Sequence, residues 1–522
     1  MNKFCYMAAL AALCAQWAWA QPGVVPVTDH AAARFLDQAT WGPTPASITQ
    51  LQSMGFAAWL NQQFLMPPSH LPDQPILNDA TGKPNRDLRP VQRAFFEMAL
   101  AGNDQLRQRV AFALSEIWVV SKLDVGYAYA FPPYWQILQD NAFTNYRDII
   151  KAMTLSPAMG RYLNMANNNK ANAAKNTSAN ENYARELMQL FTLGLDKLNI
   201  DGSPALDASH NPIPTYDQTV VVNMAKLLTG WTYPTAPGKT VRVNNPAYFE
   251  GQMFPVEKEH DETAKVLFDG WNVPAGQTAD EDLNSLLDAL MAQDTMAPFI
   301  SKQLIQHLVT SNPSPAYVER VSNAFLDNGQ GVRGDMKAVV TAILMDPEAR
   351  VDDDPNVAAN PSFGHLREPV LFLANILRGL NAQLTDQSAP YNDANSMGQN
   401  LFSSPSVFSY FSPQYRNSSG ALAPEFQIYS TQTAANRADI VNAIVYGRLD
   451  KGTTVDLTPF INKAVDPNTL ADYISSVFLY HSMSSDLRSA IEQAVGSSAN
   501  PVSRAKDALY LTLTSGEYQI VH

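Results

Sequence analysis

Beyond residue 20 the chain has no cysteine, because Cys5 and Cys14 are its only two. Both fall in a segment that reads as a secretory signal. Lys3 supplies the positive start, Phe4 to Leu13 an apolar run, and Ala18-Trp19-Ala20 an A-x-A exit before Gln21-Pro22. The apolar run is short of the ~20 residues that span a bilayer, and Gln16 interrupts it. A lipid-modified Cys14 is disfavoured by the bulky Leu13 before it. Cleavage after Ala20 is therefore expected, leaving 522 − 20 = 502 residues. The mature chain would be periplasmic or secreted, with neither disulfides nor thiolate chemistry.

Other absences narrow the function further. No later stretch approaches 18 uninterrupted apolar residues, so no membrane span is expected after cleavage. Net charge is −13 and basic residues form no runs, which argues against a nucleic-acid partner. There is no G-x-S-x-G, no supported S-x-x-K, no phosphate-binding glycine loop and no dinucleotide fingerprint. There is no H-E-x-x-H either, and His30, His70, His210, His260, His307, His365 and His481 are scattered. No metal site and no cofactor are expected.

Helical periodicity is abundant. It predicts helices over Asp29–Ala39, from Pro45 to Gly55, and near Leu88–Leu100, Asp104–Val120, Tyr146–Leu155, Asn180–Gly194, Tyr216–Leu228, Thr278–Ala292 and Met296–Val309. Further helices are predicted at Pro315–Leu326, Asp335–Met345, Arg367–Leu380, Glu425–Tyr446, Asp466–Tyr480, Ser485–Val495 and Pro501–Thr514. Asn164–Asn182 reads as an exposed loop, and Leu198–Pro214 as a small hairpin turning at Asn199-Ile200-Asp201-Gly202. The fold class is mainly α, a large multi-helix orthogonal bundle with one or two small β-hairpins. Residues 21–380 are expected to form the main helical body and 381–522 a C-terminal helical portion docked on it. The candidate linkers are Asp352–Phe363 and Gln383–Asn395.

Several residues are candidates for chemistry. In Asn180–Gly194, Tyr183, Leu187, Leu190 and Gly194 share one face and Glu181, Arg185 and Gln189 the opposite side. Ser178-x-x-Glu181 fits a capping box, and Glu181 and Arg185 are an i,i+4 pair. Glu186 sits at the border of the apolar sector, where desolvation would raise its pKa, as a general acid requires; a structural ion pair explains the same position. His260-Asp261, with Lys265 four residues beyond Asp261, suggests a metal site or, more simply, a capped turn. Asn199-x-Asp201-Gly202 fails as a calcium loop, because the first and last ligand positions fall on Lys197 and Ala208. Arg109 and Glu116 share a face of their helix and read as a buried brace, and Arg367-Glu368-Pro369 as a charge arrangement at a helix start. The aromatic run Phe402–Phe411, like the tryptophans, reads as core rather than as a sugar platform.

These blocks together are similar to a bacterial family catalogued as domain of unknown function 1800. The resemblance runs from Ala33-Arg34-Phe35-Leu36 and Thr40-Trp41-Gly42-Pro43-Thr44 through Arg107–Glu116 and Asn182-Tyr183-Ala184-Arg185-Glu186-Leu187. It continues through Leu228-Thr229-Gly230-Trp231, His260-Asp261-x-x-x-Lys265, Gly331–Asp335 and Arg367-Glu368-Pro369. It implies a large exported protein, often encoded beside a second exported protein of the alkaline-phosphatase-like superfamily, and transfers no catalytic role. The expected function is binding or assembly with another exported protein or a surface polymer. The alternative is a cofactor-free glycan hydrolase or lyase. Its catalytic candidates are Glu186, Arg185, Asp261 and His260, and its substrate-binding candidates Tyr183, Asn182, Trp231 and Lys265.

Overall fold

Many helices of this chain begin at a cap written in the sequence. The computed structural model describes residues 27–78, 80–354 and 363–522; the expected signal segment, residues 1–20, and residues 355–362 of the first candidate linker lie outside these. Thr28 Oγ1 accepts from Ala31 N at 3.1 Å and opens the helix Asp29–Ala39. Thr44 and Ser47 form a reciprocal capping box with Pro45 in the first turn of Pro45–Met54. Thr278 and Glu281 do the same for Ala279–Met291, and Asp466 and Asn500 cap Pro467–Phe478 and Pro501–Thr514. These side chains satisfy amides that the first turn leaves without partners.

The structure is mainly α, and three two-residue antiparallel pairings account for its named strands among the described residues. Boundaries move where local chemistry overrides periodicity. The expected helix Glu425–Tyr446 is a 3-10 turn, Pro424–Ile428, and a separate helix, Thr431–Tyr446, because the Ser430/Thr433 capping box starts a new helix. The helix expected to reach Gly194 stops at Gln189, and Thr192 Oγ1 turns back to the Leu187 carbonyl at 2.6 Å. Asp104–Val120 shortens to Gln105–Ile117. Phe56–Leu65 and Phe131–Asn141 are helices that periodicity did not single out.

Gln105–Ile117 runs through the centre and packs on Phe131–Asn141 and Met296–Leu308. All of its residues except Ser115 are buried. Val110, Phe112 and Leu114 each contribute ~1.5–3 kcal/mol of burial. Its polar side chains anchor neighbouring main chain instead of reaching water. Arg107 donates to the carbonyls of Gln139 (2.8 Å) and Met66 (3.2 Å), and Gln108 to that of Met98 (3.2 Å).

The first described helix and the last residues of the chain meet, with Gln38 Nε2 donating to the His522 carbonyl at 3.1 Å. His365–Leu366 pairs with Ile520–Val521, with His365 opposite Val521. Arg367 donates from Nη1 to Asp37 Oδ1 on the first helix (2.6 Å) and from Nε to the Tyr518 carbonyl (2.9 Å). One apolar cluster extends from Ala32 to Tyr518. Residues 195–215 form a narrow ribbon with bridges Asp196–Pro214, Leu198–Pro204 and Leu206–Pro212, turning at Gly202 and again near His210. This ribbon becomes one wall of the site described next.

Candidate functional site

The Asn182–Leu187 block is mostly a packing element. The Tyr183 ring is buried and its hydroxyl pairs with Thr154 Oγ1 at 2.7 Å. Arg185 donates to Glu181 (2.7 Å) and Gln218 (2.7 Å) on the half-exposed side. The Ser178–Glu181 capping box does not form. The helix starts at Asn182, Glu181 is the residue before it without a side-chain cap, and Asn180 Oδ1 takes the Asn182 amide at 2.8 Å. Glu186 is partly buried, its Oε2 has no partner, and desolvation raises its pKa against the opposing pull of Arg185.

His260, Asp261 and Lys265 are brought together, but in a closed knot. His260 Nδ1 lies 3.0 Å from the Thr229 carbonyl and Nε2 3.0 Å from Asp282 Oδ2, and Lys265 Nζ donates to the same Asp282 oxygen at 2.6 Å. His260, Asp282 and Lys265 are all buried. The Asp261 carboxylate is occupied by the Thr263 amide at 2.9 Å and hydroxyl, so this segment is a turn, with no helix start. Gly230 is required beside it: at φ +88° a Cβ there would lie 3.0 Å from His260 N. Trp231 is buried in a two-residue strand opposite Pro255. Asp282, the pivot of the knot, carries no local motif. No hydrogen bond or ion pair among the described residues joins Glu186 to His260 or Asp261. None of the catalytic and substrate-binding candidates Glu186, Arg185, Asp261, His260, Tyr183, Asn182, Trp231 and Lys265 lines the cavity described next.

That cavity has a volume of about 480 Å³, within the range of small-ligand sites. Its walls are Leu195, Leu198, Gly202 and Pro204 of the ribbon, Phe299, Lys302, Gln303, Gln306 and His307 of the helix Met296–Leu308, and Val407, Phe408, Phe411 and Arg416 of the loop after Phe402. At its foot stand Glu116 and Glu425. Spacing along Met296–Leu308 explains its share: Lys302 and Gln306, and likewise Gln303 and His307, are four residues apart on one face.

The foot of the cavity is a buried polar cluster assembled from separate elements. Glu116 Oε2 lies 3.2 Å from His307 Nδ1 without the alignment of a hydrogen bond. Gln399 Nε2 donates to Glu116 Oε1 at 3.2 Å and also to Glu368, while its Oε1 takes the Val370 amide at 2.8 Å. Gln399 thus supplies the cap that Glu368, at the start of Pro369–Gly379, does not. Glu425 is oriented by His365 Nδ1 at 3.2 Å and Ser311 Oγ at 3.5 Å. Arg109 donates to the His307 carbonyl, and the structure records no direct ion pair with Glu116. The brace expected from their shared helical face is therefore indirect, because Arg109 reaches the neighbouring helix instead.

Burial dominates the electrostatics. It pushes the Glu116 carboxyl up to about 7, partly opposed by its hydrogen-bonding to Glu368 and by the Arg109 charge. Glu368 is raised well above the carboxylate range by burial and then by the nearby Glu116 charge. Burial lowers His307 and favours the neutral ring. Two buried atoms here make no hydrogen bond among the described residues, Glu116 Oε2 and His365 Nε2, and neither does the hydroxyl of Ser409, which lines the same cavity at a left-handed φ of 62°. A buried polar atom left without a hydrogen bond costs ~1–3 kcal/mol. Among the described residues no group of three or more His, Cys, Asp or Glu side chains has the geometry of a metal site.

The sequence held these residues without showing their convergence. Glu116, His307, Glu368, His365 and Glu425 come from distant segments, and no fixed spacing relates them. The local signals were the shared helical face of Arg109 and Glu116 and the charged start Arg367-Glu368-Pro369. Comparison with known proteins gave no match among curated proteins and none among solved structures. A family model described as "Protein of unknown function (DUF1800)" matches residues 34–520, nearly the whole chain, and the chain belongs to that family.

Proposed function

We propose that this protein is an acid–base enzyme, a hydrolase or lyase, working in the cavity between the ribbon and the loop after Phe402. One observation carries the reading: two carboxyl groups, Glu116 and Glu425, face one open cavity, and burial holds the Glu116 proton to about pH 7. A carboxyl with that affinity donates a proton near neutrality and takes it back in the next step. Glu425 is the second carboxylate, acting on a water or on a substrate proton. Glu368 and Gln399 hold Glu116 from behind, and His307 is the neutral ring packed beside it. The role first assigned to Glu186 passes to Glu116 in this reading.

Export, if the first 20 residues act as a signal, places the substrate outside the cytoplasm, where a surface polymer or its fragments are at hand. A second reading keeps the cavity and removes the chemistry: the protein binds such a polymer and presents it to another exported protein. The aromatic rim favours it, since Phe408 is 42% exposed beside Val407. Incubating the full chain with a panel of polysaccharides and peptidoglycan, with products followed by mass spectrometry, separates the two. Products from the wild type that vanish in Glu116→Gln support the enzyme. Unaltered polymers that co-sediment with the protein leave the binding reading, and products undiminished in Glu116→Gln overturn the assignment of Glu116.

A further inference from the structure

Two cations on the cavity wall, Lys302 and Arg416, make no ion pair among the described residues. Lys302, half-buried on Met296–Leu308, makes no hydrogen bond and no ion pair among the described residues. Burial and the neighbouring Arg416, another cation, both work against its charge. Arg416 lines the same cavity from the opposite loop and donates only to the Gly420 carbonyl, at 2.6 Å. The loop holds it there: Asn417 Oδ1 accepts the amides of Ser419 (3.0 Å) and Ala421 (3.1 Å) and closes the turn that follows Arg416. Lys302 is half-buried and Arg416 exposed, so the desolvated ammonium is the one that most lacks a counter-charge. Among the described residues neither cation forms an ion pair. Of the acidic lining residues, Glu116 and Glu425 lie at the foot, and Asp196 is exposed on the ribbon and pairs with neither cation.

We propose that the cavity takes an oxyanion-bearing ligand, a carboxylate or phosphate on a saccharide-sized molecule, with the anion held between Lys302 and Arg416. The guanidinium offers a planar fork to the anion and the ammonium a point charge, the usual division between these side chains. The neutral part of the ligand lies along Phe408 and Phe411 and reaches Glu116 and Glu425. This rests on the acid–base reading for what happens at the foot of the cavity, but not for binding at the wall. An acidic polysaccharide fragment fits both halves: its repeated charge meets the cations and its glycosidic bond the carboxyl groups.

Calorimetry on the full chain carrying Glu116→Gln, so that no turnover intervenes, tests the inference with trigalacturonate, maltotriose and inorganic phosphate. Trigalacturonate is expected to bind, to weaken steeply with salt, and to lose roughly tenfold or more in affinity in Lys302→Gln and in Arg416→Gln. Lys302→Arg is expected to retain most of it, and thermal melting checks that each variant is folded. Maltotriose is expected not to bind. Phosphate binding with trigalacturonate failing supports the anion site and assigns it to a phosphorylated ligand. Equal binding of maltotriose, affinity indifferent to both cation substitutions, or no binding of either anion overturns the proposal. Anion binding that persists when no polymer is cleaved removes the acid–base reading and leaves this one standing.

Discussion

Glu116 Oε2 and His307 Nδ1 lie 3.2 Å apart at the foot of the cavity, although they stand on two helices, Gln105–Ile117 and Met296–Leu308, far apart in the chain. Their contact is set by packing of Gln105–Ile117 on Met296–Leu308. It places a carboxyl and a neutral imidazole side by side in a site from which burial excludes most water.

Stability should therefore depend on pH through Glu116. Its ordinary value of 4.5 is raised to about 7 in the folded chain, so the folded state holds a proton that the unfolded state releases. That contribution is fully present below about pH 4.5 and is lost as pH rises through about 7, up to about 3 kcal/mol in all. Glu116→Gln mimics the protonated form and does not lose it. The melting temperature of the variant relative to the wild type should rise between pH 5 and pH 8. His307, held low, acts in the opposite sense, but it is common to both proteins. A relative stability that is flat or falls over this range would contradict the assignment.

The helical architecture was largely legible in the sequence, because capping residues and amphipathic spacing are local. Thr28, Thr44, Thr278 and Asp466 each open a helix where one was expected. The site was not legible, because its parts meet only through tertiary packing. His260 and Lys265 looked chemical by adjacency, yet both meet Asp282, which sits on the helix Ala279–Met291. Glu425 was read as the start of a long helix, whereas the Ser430 cap frees its segment to turn toward the cavity.

The knot around Asp282 should be structural. Asp282→Ala leaves Lys265 and His260 buried without their shared partner, at a cost of about 3–5 kcal/mol. Urea unfolding of the variant checks this, and a loss under 1 kcal/mol would show that the knot relaxes into solvent instead.

Glu186→Gln should be neutral to mildly stabilising at pH 7, by no more than about 1 kcal/mol. The substitution removes a charge that is partly desolvated and has an oxygen without a partner. A loss of polymer cleavage in this variant with its melting temperature intact would return Glu186 to the catalytic set.

Gly364 controls the approach of the C-terminus to the site. At φ +101° a Cβ there would fall 2.1 Å from the Val521 carbonyl oxygen, in the pairing that also fixes His365. Gly364→Ala should cost about 2–4 kcal/mol, combining backbone strain with displacement of the last strand. It should also weaken ligand binding, since His365 orients Glu425. Melting and calorimetry on the same sample read both effects, and a variant as stable as the wild type would rule out the tight closure.

The most direct measurement of the whole account is the pH profile of cleavage, once a cleaved polymer is found, in the wild type, Glu116→Gln and Glu425→Gln. The account predicts that wild-type turnover falls as pH rises past about 7, following loss of the Glu116 proton. Each substitution should reduce turnover by roughly a hundredfold or more while leaving the fold intact. Turnover that is unchanged in Glu116→Gln, or a wild-type profile that stays flat through pH 7, would contradict it.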